Sequence, residues 1–455
     1  MKKSLIVTLC MVLLIPLISM GIVFSAPSVY DNTFMHAWNE KMERLGNTSG
    51  KRIVIIGGSS AVFGIDSSLV EENLEDYTVV NCGMYAGMGI EVLLEQCLPY
   101  LTEDDLVIIM CEPQIQMFSD YFEPKLFLGA VDGNDNLLIH TTAEQKKLIA
   151  GNLIPFGMEK LKTLISGSGD DDLGIYQSSS FNAYGDIDNE TMEEYASHNI
   201  MAGGYDPTMM VELERLPDES FLSVMKNFRR RCAGTVLYHT SPVNALCISG
   251  SLNDFYIQLR EETETGILGE PEDSVLEAGW FYDTNFHLNA SGRILFTKLL
   301  IQELKAYMGD SSLTVIDVPD LPDSEEITIY SDDSDQDCFT YEEQNGLLWI
   351  SGLTEIGIQK ESIIVPTKAQ GIMENALKDV NVRELIVPAQ SFAFMDGCFA
   401  GCDLTLVLEG EDPSLYRCGN DLMRDCTLRI LVMSDARERY RLDYTWSRYA
   451  SYIDG

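Results

Sequence analysis

The segment Arg52–Asp66, with the sequence RIVIIGGSSAVFGID, places the strongest constraint on how this chain folds. Its run of four aliphatic residues, Ile53–Ile56, does not alternate with polar residues, which is typical of a parallel strand buried on both faces. Gly57 and Gly58 then permit a tight turn, and a helix is expected over Ser67–Leu74. Ligands of open α/β sheets bind outside the carboxyl ends of the strands, so a serine in this turn is well placed to be a nucleophile. The alternative is a turn whose serines only cap the next helix.

Further apolar runs follow this segment and alternate with stretches of helical spacing. The runs lie at 78–81, 106–110, 235–238 and near Ile267. Strands that alternate with helices in this way predict right-handed βαβ units and a parallel sheet. The alternation breaks between Phe118 and Arg231, which predicts a large insertion that caps the carboxyl edge of the sheet. Within it, the polar and aromatic loop Tyr176–Asp186 is a candidate sugar-binding loop or a solvated turn.

An apolar segment from Leu5 to Phe24 follows two lysines at the amino terminus. Twenty residues of helix are long enough to cross a bilayer core of roughly 30 Å. We therefore expect residues 1–27 to form a membrane anchor, with the lysines inside the cell and the rest of the chain extracytoplasmic. Cleavage near Ser25 or Ala26 would instead make this segment a signal peptide and the protein secreted.

The charge of the chain limits its partners. Its 31 Lys and Arg residues and 71 Asp and Glu residues give a formal net charge of −40. Binding to nucleic acid requires basic side chains that neutralise phosphates, so no nucleic-acid partner is expected. The eleven cysteines show no tight disulfide spacing, and no histidine accompanies the carboxyl-terminal ones. No cofactor is required, and nothing resembles a metal or nucleotide site.

Beyond Phe339 a different periodicity begins. Short apolar segments recur about every 22–24 residues, at Ile363–Pro366, Leu385–Pro388, Leu404–Leu408 and Leu428–Val432. A strand and a short turn at this period predict a leucine-rich solenoid, in which the stacking of repeats buries apolar side chains that a single repeat would leave exposed. The predicted domain plan is an anchor over 1–27, an α/β domain over 28–308 with an insertion at 118–231, a linker over 309–340 and a repeat domain over 341–455.

Three predicted turns together offer the groups of a nucleophilic serine site. A serine needs a base, a third group that orients the base, and donors for the developing oxyanion. The chain offers a hydroxyl at Ser59 or Ser60, backbone N–H groups at Gly83 and Gly87, and the pair Asp283 and His287. His239, at the end of another predicted strand, is a rival base.

Residues 51–308 resemble the SGNH, or GDSL-type, serine hydrolases and acyltransferases. The resemblance rests on Gly57-Gly58-Ser59 with Gly64 in the first block, on the glycine turn Asn81–Gly87, and on Asp283–His287 ahead of the last helix. It implies a flavodoxin-like three-layer sandwich with a parallel sheet. It also implies that Ser59 is the nucleophile, His287 the general base and Asp283 its orienting carboxylate, with Ser60 as the alternative nucleophile. The backbone N–H of Ser59, together with that of Gly87 or Gly83, would stabilise the oxyanion.

The chain departs from that pattern in two places. Three residues rather than two separate Asp283 from His287, which leaves a Ser–His dyad open. The third block, G-x-N-D, is replaced by Cys111-Glu112-Pro113-Gln114. Gln114 or Asn182 is a weak candidate for contacting the substrate in place of the missing asparagine.

Residues 345–455 resemble the BspA-like leucine-rich repeats of bacterial surface proteins, on motifs such as Asp396–Cys402. This resemblance implies adhesion or substrate targeting through a protein or surface ligand. The predicted function is an exported, membrane-tethered serine esterase or O-acyltransferase that acts on acyl esters of cell-surface glycans. The alternative is a non-catalytic surface adhesion protein with a degenerate hydrolase scaffold and binding repeats.

Overall fold

The computed structural model describes residues 14, 16–113, 116–117, 121–166, 173–201, 204–213, 217–321, 335–344, 347–419, 421–443 and 445–455. Over these residues the chain is an α/β protein with several parallel sheets, as predicted. One five-stranded sheet and two two-stranded sheets occupy the amino-terminal part, and two five-stranded sheets occupy the carboxyl-terminal part.

The amino-terminal part is organised around a five-stranded parallel sheet. Its strands along the chain are β1 Arg52–Gly57, β2 Thr78–Asn81, β3 Asp105–Met110, β4 Val211–Glu212, β5 Thr235–Tyr238, β6 Val243–Asn244, β7 Ile248–Ser249, β8 Gly266–Ile267 and β9 Val275–Leu276. The main sheet has the order β2-β1-β3-β5-β8, while β4 pairs with β7 and β6 with β9. The five predicted strand positions are confirmed. The order is that of a doubly wound sheet whose topology reverses beside β1.

Helices cover both faces of this sheet. They are α1 Trp38–Asn47, α2 Ser59–Gly64, α3 Ser67–Asn73, α4 Ile90–Cys97, α5 Pro124–Val131, α6 Ala143–Ser166, α7 Asn189–Tyr195, α8 Glu219–Arg231, α9 Leu252–Thr263 and α10 Ala290–Tyr307. Successive residues of β1 point to opposite faces. Val54 and Ile56 therefore lie in one hydrophobic core, while Ile53 and Ile55 lie in a second core with α10. This arrangement explains why the aliphatic run has no polar alternation.

The prediction of an N-terminal membrane anchor is wrong for the part of the chain that the structure describes. None of its helices is long and apolar enough to cross a bilayer. Residues 1–13 and 15 of the predicted anchor lie outside the described residues. Its carboxyl end packs on the folded chain, because Val23 is buried in the main core and Lys160 Nζ donates to the carbonyls of Val23 and Ala26 at 3.0 and 3.1 Å.

The carboxyl-terminal part contains two five-stranded sheets. Its strands are β10 Phe339–Gln344, β11 Leu347–Leu353, β12 Ser362–Ile364, β13 Gly371–Ile372, β14 Glu384–Val387, β15 Phe392–Phe394, β16 Asp403–Leu408, β17 Tyr416–Cys418, β18 Thr427–Leu431 and β19 Ile453–Asp454. The orders are β10-β11-β13-β15-β17 and β12-β14-β16-β18-β19. All neighbours pair in parallel except β10 with β11. The helix α11 Arg437–Leu442 and a 3-10 helix at Ser447–Tyr452 precede β19.

Strand pairing in this part follows a regular step along the chain. Ser362 pairs with Glu384, Glu384 with Thr405, and Thr405 with Arg429, so paired positions lie 22, 21 and 24 residues apart. Between the two sheets, aliphatic and aromatic side chains form one continuous core. The predicted recurrence of strands is therefore observed as parallel pairing.

The two parts of the chain pack against each other. Arg448 Nη2 lies 3.1 Å from Glu123 Oε1, just before α5 of the segment between β3 and β5. The first residues of the predicted linker run along α10, where Lys298 Nζ donates to the carbonyl of Ile316 at 2.8 Å. Residues 322–334 of that linker lie outside the described residues.

Candidate active site

A glycine turn at the end of β1 presents Ser59 at the carboxyl edge of the sheet. Ser59 is the first residue of α2, immediately after Gly58. A Cβ at Gly57 would collide with the carbonyl oxygen of Met110 in the neighbouring strand β3. A Cβ at Gly58 would lie 2.7 Å from Glu112 Oε1. Gly57 is therefore required by the close approach of the β3 backbone, whereas the contact at Gly58 is with the end of the Glu112 side chain.

Ser59, His287 and Asp283 form one continuous hydrogen-bonded chain. His287 Nε2 lies 2.8 Å from Ser59 Oγ, and His287 Nδ1 lies 2.8 Å from Asp283 Oδ1. In the tautomer that fits this chain, Nδ1–H donates to Asp283 and Nε2 accepts from the serine hydroxyl. Two segments that are remote in sequence thus meet, and their three side chains follow the order that a nucleophile, a base and an orienting carboxylate require.

A tight turn accommodates the additional residue between Asp283 and His287. Thr284 Oγ1 accepts the backbone N–H groups of Phe286 and His287 at 3.2 and 3.0 Å. This turn brings the side chains of Asp283 and His287 to the same side of the loop. The structure therefore contains the aspartate–histidine contact, rather than the dyad that the altered spacing left open.

Two aromatic residues hold the imidazole and the carboxylate in place. Phe63 of α2 stacks on His287 with 4.1 Å between ring centroids and 4° between ring planes. The Tyr176 hydroxyl donates to Asp283 Oδ2 and lies 3.3 Å from His287 Nδ1. Burial, followed by the charge of Asp283, raises the pKa of Tyr176 well above its usual value, which keeps this hydroxyl a donor. The sequence left the Tyr176–Asp186 loop open as a sugar-binding loop or a solvated turn, and it did not indicate this role of Tyr176.

Asp283 is kept ionised although it is buried. Burial alone would raise its pKa. The charge and hydrogen bond of His287, the Arg417 guanidinium and the hydrogen bond from Tyr176 outweigh burial, so the pKa of Asp283 lies below its ordinary value. An ionised carboxylate at this position stabilises the imidazolium that forms when His287 takes the serine proton.

Arg417, in the carboxyl-terminal part, places a positive charge near the Asp283 oxygen that does not contact His287. Its Nη2 lies 4.0 Å from Asp283 Oδ2, and its Nε lies 3.9 Å from Asp206 Oδ2. Arg417 is in β17, so a sheet of the predicted repeat domain reaches the candidate site. Nothing in the local sequence around Arg417 indicates this contact.

Glu112 lies on the other side of the nucleophile, two residues after β3. Its Oε1 is 3.2 Å from Ser59 Oγ and accepts the Ser60 N–H at 3.1 Å. The side chain is 2% exposed. Burial raises the pKa of Glu112, opposed by His287 and by hydrogen bonds from Ser60 and Ser59.

The protonation of Glu112 decides what this contact does. The Ser59 hydroxyl has one proton and cannot donate it both to His287 and to Glu112. A neutral Glu112 resolves the conflict, because its O–H can donate to Ser59 Oγ while the Ser59 hydroxyl donates to His287. The sequence signal for this residue was a carboxyl group directly after a buried strand, in place of the expected third block.

The other predicted residues take different places. Ser60 Oγ is buried, and Ser59 rather than Ser60 contacts the imidazole. The Gly83 N–H donates to Asn81 Oδ1 at 2.9 Å, so Gly83 does not offer the free oxyanion donor that was expected. The Gly87 carbonyl accepts the Glu123 N–H at 2.9 Å, and the role of its own N–H remains a prediction.

The remaining candidates are Asn182, Gln114 and His239. Asn182 Oδ1 accepts the N–H groups of Tyr184 and Asp186 at 2.9 and 3.1 Å, so this side chain stabilises its own turn. Gln114 lies outside the described residues. The rival base His239 is buried, with its Nε2 2.6 Å from Glu303 Oε2, and it does not contact Ser59.

A cavity connects the triad with both parts of the chain. Its volume is about 70 Å³, several times the roughly 10–15 Å³ that one water requires. Ser59 and His287, 3% and 2% exposed, both line it. Its walls include the apolar side chains Phe34, Met35, Leu126 and Phe156, together with Lys125, Arg441 and Ser447. An apolar cavity beside a serine–histidine pair suits an acyl group.

Comparisons with known proteins do not identify the chain. No family model matches it, and no curated protein matches it. Among solved structures, the X-ray crystal structure of protein YxiM from Bacillus subtilis is similar at 14% identity and a TM-score of 0.29. The match covers 57% of this chain and 58% of that one, so the chain spans less than two thirds of that protein. A TM-score this low carries no argument about fold or activity.

Proposed function

We propose that this protein is a serine esterase or O-acyltransferase that acts through an acyl-enzyme on Ser59. The observation that carries the proposal is the hydrogen-bonded chain from Ser59 through His287 to Asp283, with 2.8 Å at each step to the imidazole. Both hydrogen bonds lie within the range that proton transfer requires.

The reaction would proceed in two halves. In the first, Ser59 Oγ attacks the carbonyl carbon of an ester while His287 Nε2 takes the hydroxyl proton. The tetrahedral intermediate then collapses, the C–O bond to the leaving alcohol breaks, and His287 returns the proton to that alcohol. In the second half, His287 takes a proton from water or a sugar hydroxyl, whose oxygen attacks the carbonyl carbon of the acyl-enzyme. The second tetrahedral intermediate collapses, the bond between that carbon and Ser59 Oγ breaks, and His287 returns the proton to Oγ.

Stabilisation of the oxyanion would involve Glu112. The oxyanion forms on the carbon that is bonded to Ser59 Oγ, so a donor 3.2 Å from Oγ is within reach of it. A neutral Glu112 carboxyl group provides such a donor, and the Ser60 N–H, which donates to Glu112 Oε1 at 3.1 Å, holds that group beside Ser59. Glu112 would thus donate a hydrogen bond to the oxyanion, the role for which the predicted candidates were Gly87, Gly83, Gln114 and Asn182.

The finer features of the fold belong to the same proposal. The strand order β2-β1-β3-β5-β8 and the place of Ser59 after β1 support an SGNH hydrolase-like fold for the amino-terminal part. The regular steps between paired strands support a small leucine-rich-repeat unit for the carboxyl-terminal part. Acyl esters of cell-surface glycans remain the predicted substrates.

A second candidate is the non-catalytic binding protein. It is favoured by the burial of the two reacting residues, because Ser59 is only 3% exposed and His287 only 2%. In that case the triad residues would form a structural polar cluster, and binding would belong to the carboxyl-terminal sheets.

Labelling of the full chain with a fluorophosphonate probe separates the two candidates. We expect covalent labelling of wild type and hydrolysis of p-nitrophenyl acetate, both abolished in Ser59→Ala. Ser60→Ala is the matched control, because it removes the adjacent buried hydroxyl and should retain both signals. Labelling that persists in Ser59→Ala would refute the assignment of the nucleophile. A folded wild type that labels at no serine would favour the binding protein.

A further inference from the structure

Arg417 is a buried cation placed by one part of the chain at the candidate site of the other. Its side chain is 7% exposed, and it lies in the middle of the three-residue strand β17. Among the described residues, its Nε and Nη2 atoms make no hydrogen bond, although Asp206 and Asp283 lie at 3.9 and 4.0 Å. The guanidinium therefore interacts with the two carboxylates through charge and not through hydrogen bonds. An arginine in a purely structural ion pair commonly forms a bidentate hydrogen bond instead.

Several ionisable groups surround this guanidinium. They are three carboxyl groups, two phenols, a thiol and, beyond Asp283, the imidazole of the triad: Asp206, Asp283, Asp443, Tyr176, Tyr282, Cys418 and His287. Burial raises the pKa of Asp206, and it raises the pKa of Asp443 to about 6. Three buried carboxyl groups would compete for protons if the cation were absent. Asp283, which contacts His287, is one of them.

We propose that Arg417 is a positioning residue that keeps the Asp283–His287 pair in its catalytic charge state, so that the carboxyl-terminal part is a built-in component of the enzyme. This inference rests on the proposed function. It gives the carboxyl-terminal part a role in addition to the predicted adhesion or substrate targeting, because the sheet that contains β17 places a charge beside the triad. The helix α11 and the following 3-10 helix also supply cavity residues.

The direction of the effect follows from electrostatics. A positive charge near a group that binds a proton lowers its pKa, and an opposite charge within about 4–6 Å shifts a carboxyl pKa by roughly 1–3 units. Removing the charge of Arg417 makes the Asp283–His287 pair hold a proton more tightly. Because His287 must be unprotonated to accept the serine proton, the acid limb of kcat/KM should move to higher pH.

The test compares neutral and charged substitutions in the full chain. Arg417→Met and Arg417→Gln should move the acid limb of p-nitrophenyl acetate hydrolysis upward by about one pH unit or more. Below the limb, this shift slows fluorophosphonate labelling about tenfold, since the fraction of neutral His287 falls tenfold per unit. Arg417→Lys keeps the charge and should keep the limb, even if it lowers the melting temperature.

Arg429→Met is the matched control. Arg429 lies on β18, in the other five-stranded sheet of the carboxyl-terminal part. It pairs with Asp454 at 3.1 Å, and 60% of its side chain is exposed. Its removal should leave the acid limb unchanged. Two neutral side chains of different polarity at position 417 guard against a variant that does not fold.

The outcomes distinguish the inference from the proposed function. If wild type labels at Ser59 and a folded neutral variant at 417 has the wild-type limb, the inference is refuted while the proposed function stands. A displaced limb in Arg417→Lys would also overturn it, because geometry rather than charge would then be responsible. If wild type does not label at Ser59 at all, the proposed function fails first.

Discussion

Replacing Glu112 by glutamine tests whether the carboxyl group beside Ser59 is neutral in the working enzyme. A glutamine amide has nearly the shape of a protonated carboxyl group, and its NH2 group in the place of Oε1 can donate to Ser59 Oγ, although it cannot accept the Ser60 N–H. If Glu112 is neutral, Glu112→Gln should keep kcat/KM within a few-fold of wild type near neutral pH. Glu112→Ala removes the donor, and loss of one oxyanion donor typically costs about 10²–10³ in kcat.

The pH dependence of kcat/KM is a second test of the protonation state of Glu112. In wild type, ionisation of Glu112 at high pH turns a donor into an acceptor that competes for the Ser59 proton 3.2 Å away. An alkaline limb should therefore appear in kcat/KM and disappear in Glu112→Gln. The assay is p-nitrophenyl acetate hydrolysis between about pH 5 and 9, corrected for the spontaneous reaction.

Stability should change with pH in a matching direction. Because burial raises the folded-state pKa of Glu112, the folded protein binds this proton more tightly than the unfolded chain. The free energy of unfolding therefore falls as pH rises from the unfolded pKa to the folded pKa, by up to about 1.4 kcal/mol per pH unit, and stays low above that window. Urea unfolding of Glu112→Gln should lack this component.

Two results would refute the reasoning about Glu112. One is a Glu112→Gln enzyme that is faster than wild type at every pH, because this would mean that an ionised Glu112 inhibits Ser59. The other is a Glu112→Ala enzyme as active as wild type, which would show that the carboxyl group contributes nothing to the oxyanion.

Three further substitutions test the site and the turn that presents it. Asp283→Asn should lower kcat about 10³–10⁴-fold near neutral pH, because the amide cannot hold the imidazole in the required tautomer. Fluorophosphonate labelling of this variant at the wild-type rate would contradict the prediction. Tyr176→Phe removes a hydrogen bond that lowers the pKa of Asp283, so the acid limb of kcat/KM should move to higher pH, whereas Tyr184→Phe in the same loop should leave it in place. Gly57→Ala should destabilise the fold by about 3 kcal/mol or more in urea titrations, because its Cβ would collide with a carbonyl of β3. Gly151→Ala, in the middle of α6 with open space around it, should instead be neutral or stabilising by up to about 1 kcal/mol, and a similar loss in both variants would contradict the steric argument.

The amino-terminal segment shows where hydropathy misleads. An apolar run reports that its side chains prefer to leave water, but it does not report which surface receives them. Val23 of the predicted anchor is buried in the main core, and Lys160 holds the carbonyls of Val23 and Ala26. The partner of this segment is more than 130 residues away, so no local pattern could indicate it.

The sequence by itself indicated the parallel sheet, because an aliphatic run such as Ile53–Ile56 without polar alternation is typical of a strand that is covered on both faces, and the glycines after it favour a turn. It also determined the placement of Ser59, Asp283 and His287, since parallel strands bring their carboxyl ends to one edge whatever the distance along the chain. Only the tertiary structure decided the charge environment of that edge. Glu112 and Arg417 act on the site through burial and through distances of 3 to 4 Å between remote segments, and neither quantity is encoded in a short stretch of sequence.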